Sequence, residues 1–186
     1  MFRPIGRANI SDIVDAVNEL TDEDWNKWKD LQTLYNSHDS TLAYALFWSM
    51  PSDDTRYRVV LHDTTSRVAK ACEPLINSLT KVYGTKPIAA AFSLLKERRV
   101  IPIHVDNEYL NIHRIHIPII TNKFVYMFGQ DLKLYNMHEG VMYQLDATKP
   151  HGIVNGSRLS RIHLVIDFPH DTSIKEIVYE TPGTTI

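Results

Sequence analysis

From Arg99 onward the chain is a series of short apolar runs separated by turn residues, and this rhythm most constrains the fold it can adopt. Val100-Ile101-Pro102-Ile103-His104-Val105-Asp106, Ile112-His113-Arg114-Ile115-His116-Ile117-Pro118-Ile119 and Phe124-Val125-Tyr126-Met127-Phe128 are each of strand length and rich in β-branched or aromatic residues. Leu132 to Tyr135, Val141 to Leu145 and Arg161-Ile162-His163-Leu164-Val165-Ile166 continue the series, with Gly129-Gln130-Asp131 as a turn. Many short strands at such spacing predict a β-sandwich or barrel. Ile88 to Leu95 is an apolar run that periodicity leaves open between strand and buried helix.

The first half follows a different period. Ile10, Ile13, Val14, Val17 and Leu20 recur at helical spacing. Thr21 before Asp22-Glu23-Asp24 reads as an N-cap with an acidic first turn, suited to the positive end of a helix dipole, and Trp25, Trp28, Leu31 and Tyr35 extend one face. Val68, Cys72, Leu75, Ile76, Leu79 and Val82 predict a further helix from Val68 to Tyr83, with Gly84 as its stop and Pro87 just beyond. Pro74 should kink that helix or delay its start. The expected organisation is one domain over residues 1–186: a mainly helical supporting layer (1–86), a β core (87–170) and a C-terminal extension (171–186). The fold class is mainly β with N-terminal helices.

Composition narrows the function classes. A net charge of -2 gives no reason to expect nucleic acid or an anionic membrane as partner. The single cysteine, Cys72, excludes an intrachain disulfide and a cysteine-based zinc site, and its expected role is a small buried apolar residue. No apolar run is long enough for a membrane span or a secretory signal, so the expected location is cytoplasmic. The short basic run Lys96-Glu97-Arg98-Arg99 is expected at the exposed end of a strand, with one arginine able to reach a site mouth.

One constellation carries chemistry. Side chains alternate across a strand, so His104 and Asp106 can point into one cavity while Val105 faces away. His151, after Lys149-Pro150, can fold back to complete two imidazoles and one carboxylate, the facial set that holds non-haem Fe(II) with positions open. The same pattern also suits a polar strand residue followed by an Asp106-Asn107 turn. Arg161 weighs against the blander reading: it opens an apolar strand, shares a face with His163, and there requires an anionic partner. A dicarboxylate fits, because guanidinium and carboxylate pair through two parallel hydrogen bonds. Arg114 and His116 repeat the device, with Ile115, Ile117 and Ile119 behind them. His113 falls on the opposite face and is expected to be exposed. His163 suits a cavity wall and a satisfied interior position equally.

Arg114-Ile115-His116-Ile117-Pro118-Ile119, Glu139-Gly140-Val141-Met142-Tyr143, Leu145-Asp146, His151, Val154-Asn155 and Arg161-Ile162-His163-Leu164-Val165-Ile166-Asp167 together resemble the aspartyl/asparaginyl/proline β-hydroxylase family over about residues 88–170. The resemblance implies a double-stranded β-helix, jelly-roll or cupin-like, and a dioxygenase dependent on Fe(II) and 2-oxoglutarate. It implies His104, Asp106 and His151 as metal ligands and Arg161 at the distal carboxylate of 2-oxoglutarate. His116 and Arg114 would lie near the carboxylate and keto end that chelates iron. The animal aspartyl-hydroxylase branch lacks the carboxylate ligand, so Asp106 places the resemblance nearer the bacterial free-proline hydroxylase branch.

The expected activity is hydroxylation, with molecular oxygen, of an unactivated C–H in an amino-acid-like small molecule or a peptidyl side chain. Tyr109, Tyr143 and Trp48 are candidates for substrate contact, and Asn155 for shaping a turn. Two rival readings follow from the same residues. A cupin-type metal enzyme that needs no 2-oxoglutarate has no use for Arg161. A metal-free β-sandwich serving binding or assembly requires His104, Asp106 and His151 to stay apart and the interior arginines to pair with acids.

Overall fold

The computed structural model describes residues 2–27, 41–53, 56–106, 112–130, 132–170 and 176–179. Its strands form two sheets. The larger is ordered β1 (Phe2–Arg7), β9 (Val141–Leu145), β6 (Ile112–Ile120), β11 (Arg161–Pro169), β4 (Ala89–Leu95), β2 (Thr41–Asp53), β3 (Arg56–His62) and β12 (Glu176–Tyr179). The smaller is ordered β5 (Arg99–His104), β10 (His151–Asn155), β7 (Val125–Gly129) and β8 (Leu134–Tyr135). Pairing is antiparallel except between β12 and β3. This is the mainly β, cupin-like double-stranded β-helix that the strand rhythm and the resemblance implied.

Two apolar layers result from the alternation along the central strands. On one face of the large sheet, Ile115, Ile117, Ile119, Ile162, Leu164, Ile166 and Phe168 pack with Ile13, Ala16, Val17, Val68, Cys72 and Leu79. Those last six come from α1 (Ser11–Val17) and α3 (Arg67–Tyr83). Between the sheets lie Leu95, Ile101, Val125, Met127, Leu145 and Ile153. Residues of β6 and β11 that alternate with the first set, among them Arg114, His116, Arg161, His163 and Asp167, therefore face the space between the sheets.

The helices follow their local signals. Thr21 caps α2 (Asp22–Asn26) through a reciprocal box with Asp24, its side chain accepting from the Asp24 N–H and Asp24 Oδ2 accepting from the Thr21 N–H at 2.9 Å. Trp28, Leu31 and Tyr35 lie outside the described residues. Ser66 caps α3 by accepting from the Ala69 N–H at 3.0 Å, and Gly84 closes it at φ 69°, its N–H bonded to the Thr80 carbonyl. Pro74 neither ends nor delays α3, which runs through it for 17 residues. Cys72 is fully buried and burial pushes its thiol up to about 12, which agrees with a packing role.

The first half differs from the mainly helical expectation. Residues 1–86 contribute β1, β2 and β3 to the large sheet beside the helices. The run Leu42-Ala43-Tyr44-Ala45-Leu46-Phe47-Trp48 is apolar throughout, because side chains on both faces of β2 are buried or half-buried, and so it shows neither strand nor helix periodicity. Ile88 to Leu95 resolves as strand β4. Within 171–186, β12 adds an edge strand parallel to β3. Among the described residues no helix is long and apolar enough to cross a membrane.

Candidate active site

The two imidazoles meet across a strand ladder. His104 ends β5, His151 begins β10, and the two are register partners with ring centroids 4.6 Å apart. Gly152 makes the approach possible: a Cβ there would lie 2.5 Å from Phe128 Cζ and 2.9 Å from the Ile101 carbonyl oxygen. Each ring is oriented by the same local device. His104 Nδ1 is 2.8 Å from the Pro102 carbonyl and His151 Nδ1 is 2.9 Å from the Lys149 carbonyl, each two residues upstream. With Nδ1–H donating to a carbonyl, both rings turn Nε2 toward the same point.

Asp106 faces that point from just past the end of β5. Its Oδ1 lies 3.2 Å from His104 Nε2 and its Oδ2 3.4 Å from His151 Nε2. One potential ligand atom from each of the three residues falls within 4.8 Å of the others. Nitrogen and carboxylate oxygen at this spacing form a donor set that fits a ferrous ion. The separation required by a metal-free sandwich is not met.

Behind Asp106 stands Arg114. Its Nη1 donates to Asp106 Oδ2, while its Nε and Nη2 donate to Asp167 Oδ1 and Oδ2 at 2.8 and 2.6 Å. Burial alone would push the Asp106 carboxyl up, but Arg114 and the two imidazoles override it and hold it well below the usual carboxylate range. Arg114 is pulled down by burial and raised further by its two carboxylates, so its charge is secure. The structure thus sets Arg114, which the resemblance put near the cosubstrate, against two carboxylates of this chain. Asp167 sits opposite it in the β6–β11 ladder, and all three guanidinium nitrogens are on carboxylates of this chain.

Arg161 has the opposite surroundings. It is 0% exposed, and its Nη1 makes only long contacts to Ser93 Oγ (3.3 Å) and the Ser93 carbonyl (3.4 Å). Its Nε and Nη2 have no hydrogen-bond partner among the described residues, nor has either ring nitrogen of His116 or His163. The two rings stand edge to face with centroids 6.0 Å apart. Burial first, and the Arg161 charge second, drive both imidazoles well below their ordinary value, so both are neutral near pH 7. Burial pulls Arg161 itself down to about 9, with no acid among the described residues pushing back. A buried cation with six unsatisfied ring and guanidinium nitrogens among the described residues is costly unless an anion pairs with it. The polar cluster fits an acidic ligand such as 2-oxoglutarate.

A model of the aspartyl/asparaginyl β-hydroxylase family matches residues 7–171. The chain belongs to this family. As a 2-oxoglutarate–Fe(II) oxygenase-family hydroxylase it uses Fe(II) and 2-oxoglutarate and acts on its substrate with O2. No curated protein matches it. Among solved structures, its fold is similar to an oxidoreductase of the 2OG-Fe(II) oxygenase family from Burkholderia pseudomallei, at 10% identity over 88% of this chain and 91% of that one, with a TM-score of 0.51. AviO1 from Streptomyces viridochromogenes Tue57 is similar at 14% identity over 90% and 89% of the two chains, also with a TM-score of 0.51. EvdMO1 reaches a TM-score of 0.55 at 15% identity, over 90% of this chain and 47% of that one.

Other residues singled out in the sequence fall into place around this hydroxylase site. Asn155 is buried and holds the turn to β11, donating to the Leu159 carbonyl at 2.8 Å and accepting from Ser157 Oγ at 2.7 Å. Arg99 pairs with Asn155 at the end of β5 away from His104, so it does not reach the triad. His113 is half-buried rather than exposed, its Nδ1 accepting from Gln144 Nε2 at 2.8 Å and its ring stacking on His170. Tyr143 is opposite His116 in the ladder and its hydroxyl accepts from the His138 N–H. Tyr109 lies outside the described residues. Sequence reasoning gave Ser93 and Asp167 no role, although Asp167 falls on the Arg161–His163 face by simple alternation. An open groove of about 310 Å³ between β2 and α3 includes none of these residues.

Proposed function

We propose that the chain hydroxylates an unactivated C–H of an amino-acid-like small molecule or a peptidyl side chain, with His104, Asp106 and His151 holding Fe(II) and Arg161 binding 2-oxoglutarate. The observation that carries this reading is Arg161, a fully buried guanidinium with two nitrogens unpartnered among the described residues, on the face of β11 turned to the space between the sheets. Fe(II) and 2-oxoglutarate, when bound, would supply the electrons that reduce and activate O2, the oxidant for C–H hydroxylation.

This chain's residues bind and orient. Arg161 pairs with the distal carboxylate of the cosubstrate, and the Ser93 hydroxyl at 3.3 Å from Nη1 shares that end. Neutral His116 offers one N–H donor and one acceptor toward the keto and carboxylate end. The carbonyls of Pro102 and Lys149 keep the Nδ1 protons of His104 and His151, leaving Nε2 for the metal. The apolar residues between the sheets exclude water from the interior.

The test is succinate release under air with Fe(II) and 2-oxoglutarate, across free amino acids and short peptides. Stimulation by one class, absent in Asp106→Ala and His151→Ala, is expected. Iron-loaded protein whose 2-oxoglutarate consumption no amino acid or peptide raises would refute the substrate class.

A further inference from the structure

Asp167 lies outside the proposed metal-ligand set and the proposed cosubstrate contacts, yet it is a buried carboxylate, 6% exposed, that reaches toward the site through Arg114. It is directly opposite Arg114 in the β6–β11 ladder and takes the Nε and Nη2 edge of that guanidinium at 2.8 and 2.6 Å. A guanidinium is a rigid planar fork, so fixing two of its nitrogens fixes the direction of the third. That third nitrogen, Nη1, donates to Asp106 Oδ2. From the Asp167–Arg114–Asp106 chain of contacts we propose that Asp167 is a positioning residue for the metal centre: acting through Arg114, it sets the orientation of the Asp106 carboxylate and the charge of the pocket that receives the metal.

Two consequences separate this role from plain ladder stability. Arg114 occupies one carboxylate oxygen of Asp106 and leaves Oδ1, which lies on the His104 side, oriented for a cation. Asp167 also neutralises Arg114. With neutral imidazoles, Asp106, Arg114 and Asp167 together carry one net negative charge, which favours a divalent cation. Without the Asp167 charge the group is neutral, and an uncompensated guanidinium stands beside the metal position.

The inference rests on Asp106 being a ligand, and its test keeps the two claims apart. Mn(II) binding is followed by loss of the free-ion EPR signal in wild type, Asp106→Ala, Asp167→Asn, Arg114→Met, Arg114→Lys and the Asp167→Asn/Arg114→Met double variant. Asp167→Asn keeps the shape and removes the charge, and should raise the Mn(II) dissociation constant about tenfold to a hundredfold, the usual cost of losing a partner of a metal-ligating side chain. The double variant should lose clearly less than the sum of the two single losses, because Asp167 acts mainly through Arg114. Arg114→Lys, which keeps the charge but not the fork, should also weaken binding, and it carries the test if Asp167→Asn does not fold. Folded Asp167→Asn within twofold of wild type, or losses that add in the double variant, would overturn the proposal. If Arg114→Lys is the variant measured, unchanged affinity does so. Undiminished Mn(II) binding by Asp106→Ala would instead overturn the ligand assignment itself.

Discussion

Arg114 and Arg161 face the same interior from neighbouring strands, and the protein treats them in opposite ways. Arg114 is charge-balanced within the chain: each of its three nitrogens donates to Asp106 or Asp167, and the two carboxylates push its pKa up. Arg161 is the more deeply buried of the two, meets only Ser93 among the described residues, and burial pulls it down to about 9. One end of the interior is internally balanced and rigid, as a metal centre requires if its ligands are to be held before the ion arrives. The other carries an unmet electrostatic demand whose satisfaction requires a ligand. Preorganisation and ligand requirement are thus separated along the same pair of strands, and each end makes its own predictions.

The largest effect is expected at the unbalanced end. Arg161→Met should raise the 2-oxoglutarate dissociation constant at least a hundredfold, in line with about 3–5 kcal/mol for one partner of a buried charge pair, and leave Mn(II) affinity nearly unchanged. The same substitution removes a buried unpaired charge, so the ligand-free protein should become more stable by about 1–4 kcal/mol. Calorimetric titration and urea midpoints measure both. A loss of stability without ligand would mean that Arg161 is already neutralised, and the contrast with Arg114 would collapse.

Acid should expose the same asymmetry. His116 and His163 are buried with pKa values well below 6.5, so below that value the unfolded chain takes up protons that the folded state refuses. Stability then rises with pH through the window from about 5 to 6.5 and is lost as pH falls. Each imidazole contributes up to about 1.4 kcal/mol per pH unit. Urea midpoints of wild type and His163→Phe at pH 7.5 and 5.5 check this, and the variant should show roughly half the acid loss. An equal slope in both would remove His163 from the unsatisfied cluster.

The balanced end should respond to packing. Gly152→Ala places a methyl against Phe128 and the Ile101 carbonyl, beside the ladder position where His151 meets His104. The expected cost is about 1–3 kcal/mol in stability, with weaker Mn(II) binding as His151 shifts. Unchanged binding would show that the triad tolerates movement and is less rigid than the Arg114 network implies.

Much of this site was legible in the chain. His104 and Asp106 two residues apart, His151 after Lys149-Pro150, and Arg161 at the head of an apolar strand each follow from alternation, which is a local property of extended backbone. Less visible were β2 and β3, because a strand enclosed on both faces loses its period, and the pairing of Arg114, because its partner is 53 residues away. Ser93 carries no signal of its own: its role arises only because β4 lies beside β11.

Sequence alone determined which side chains share a face and which carry charge into an apolar interior, since both depend on neighbours a few residues apart. Tertiary structure decided which of two similar arginines would be neutralised. That outcome depends on strand register: it set Asp167 opposite Arg114 and left Arg161 opposite Leu95, which has no charge to offer.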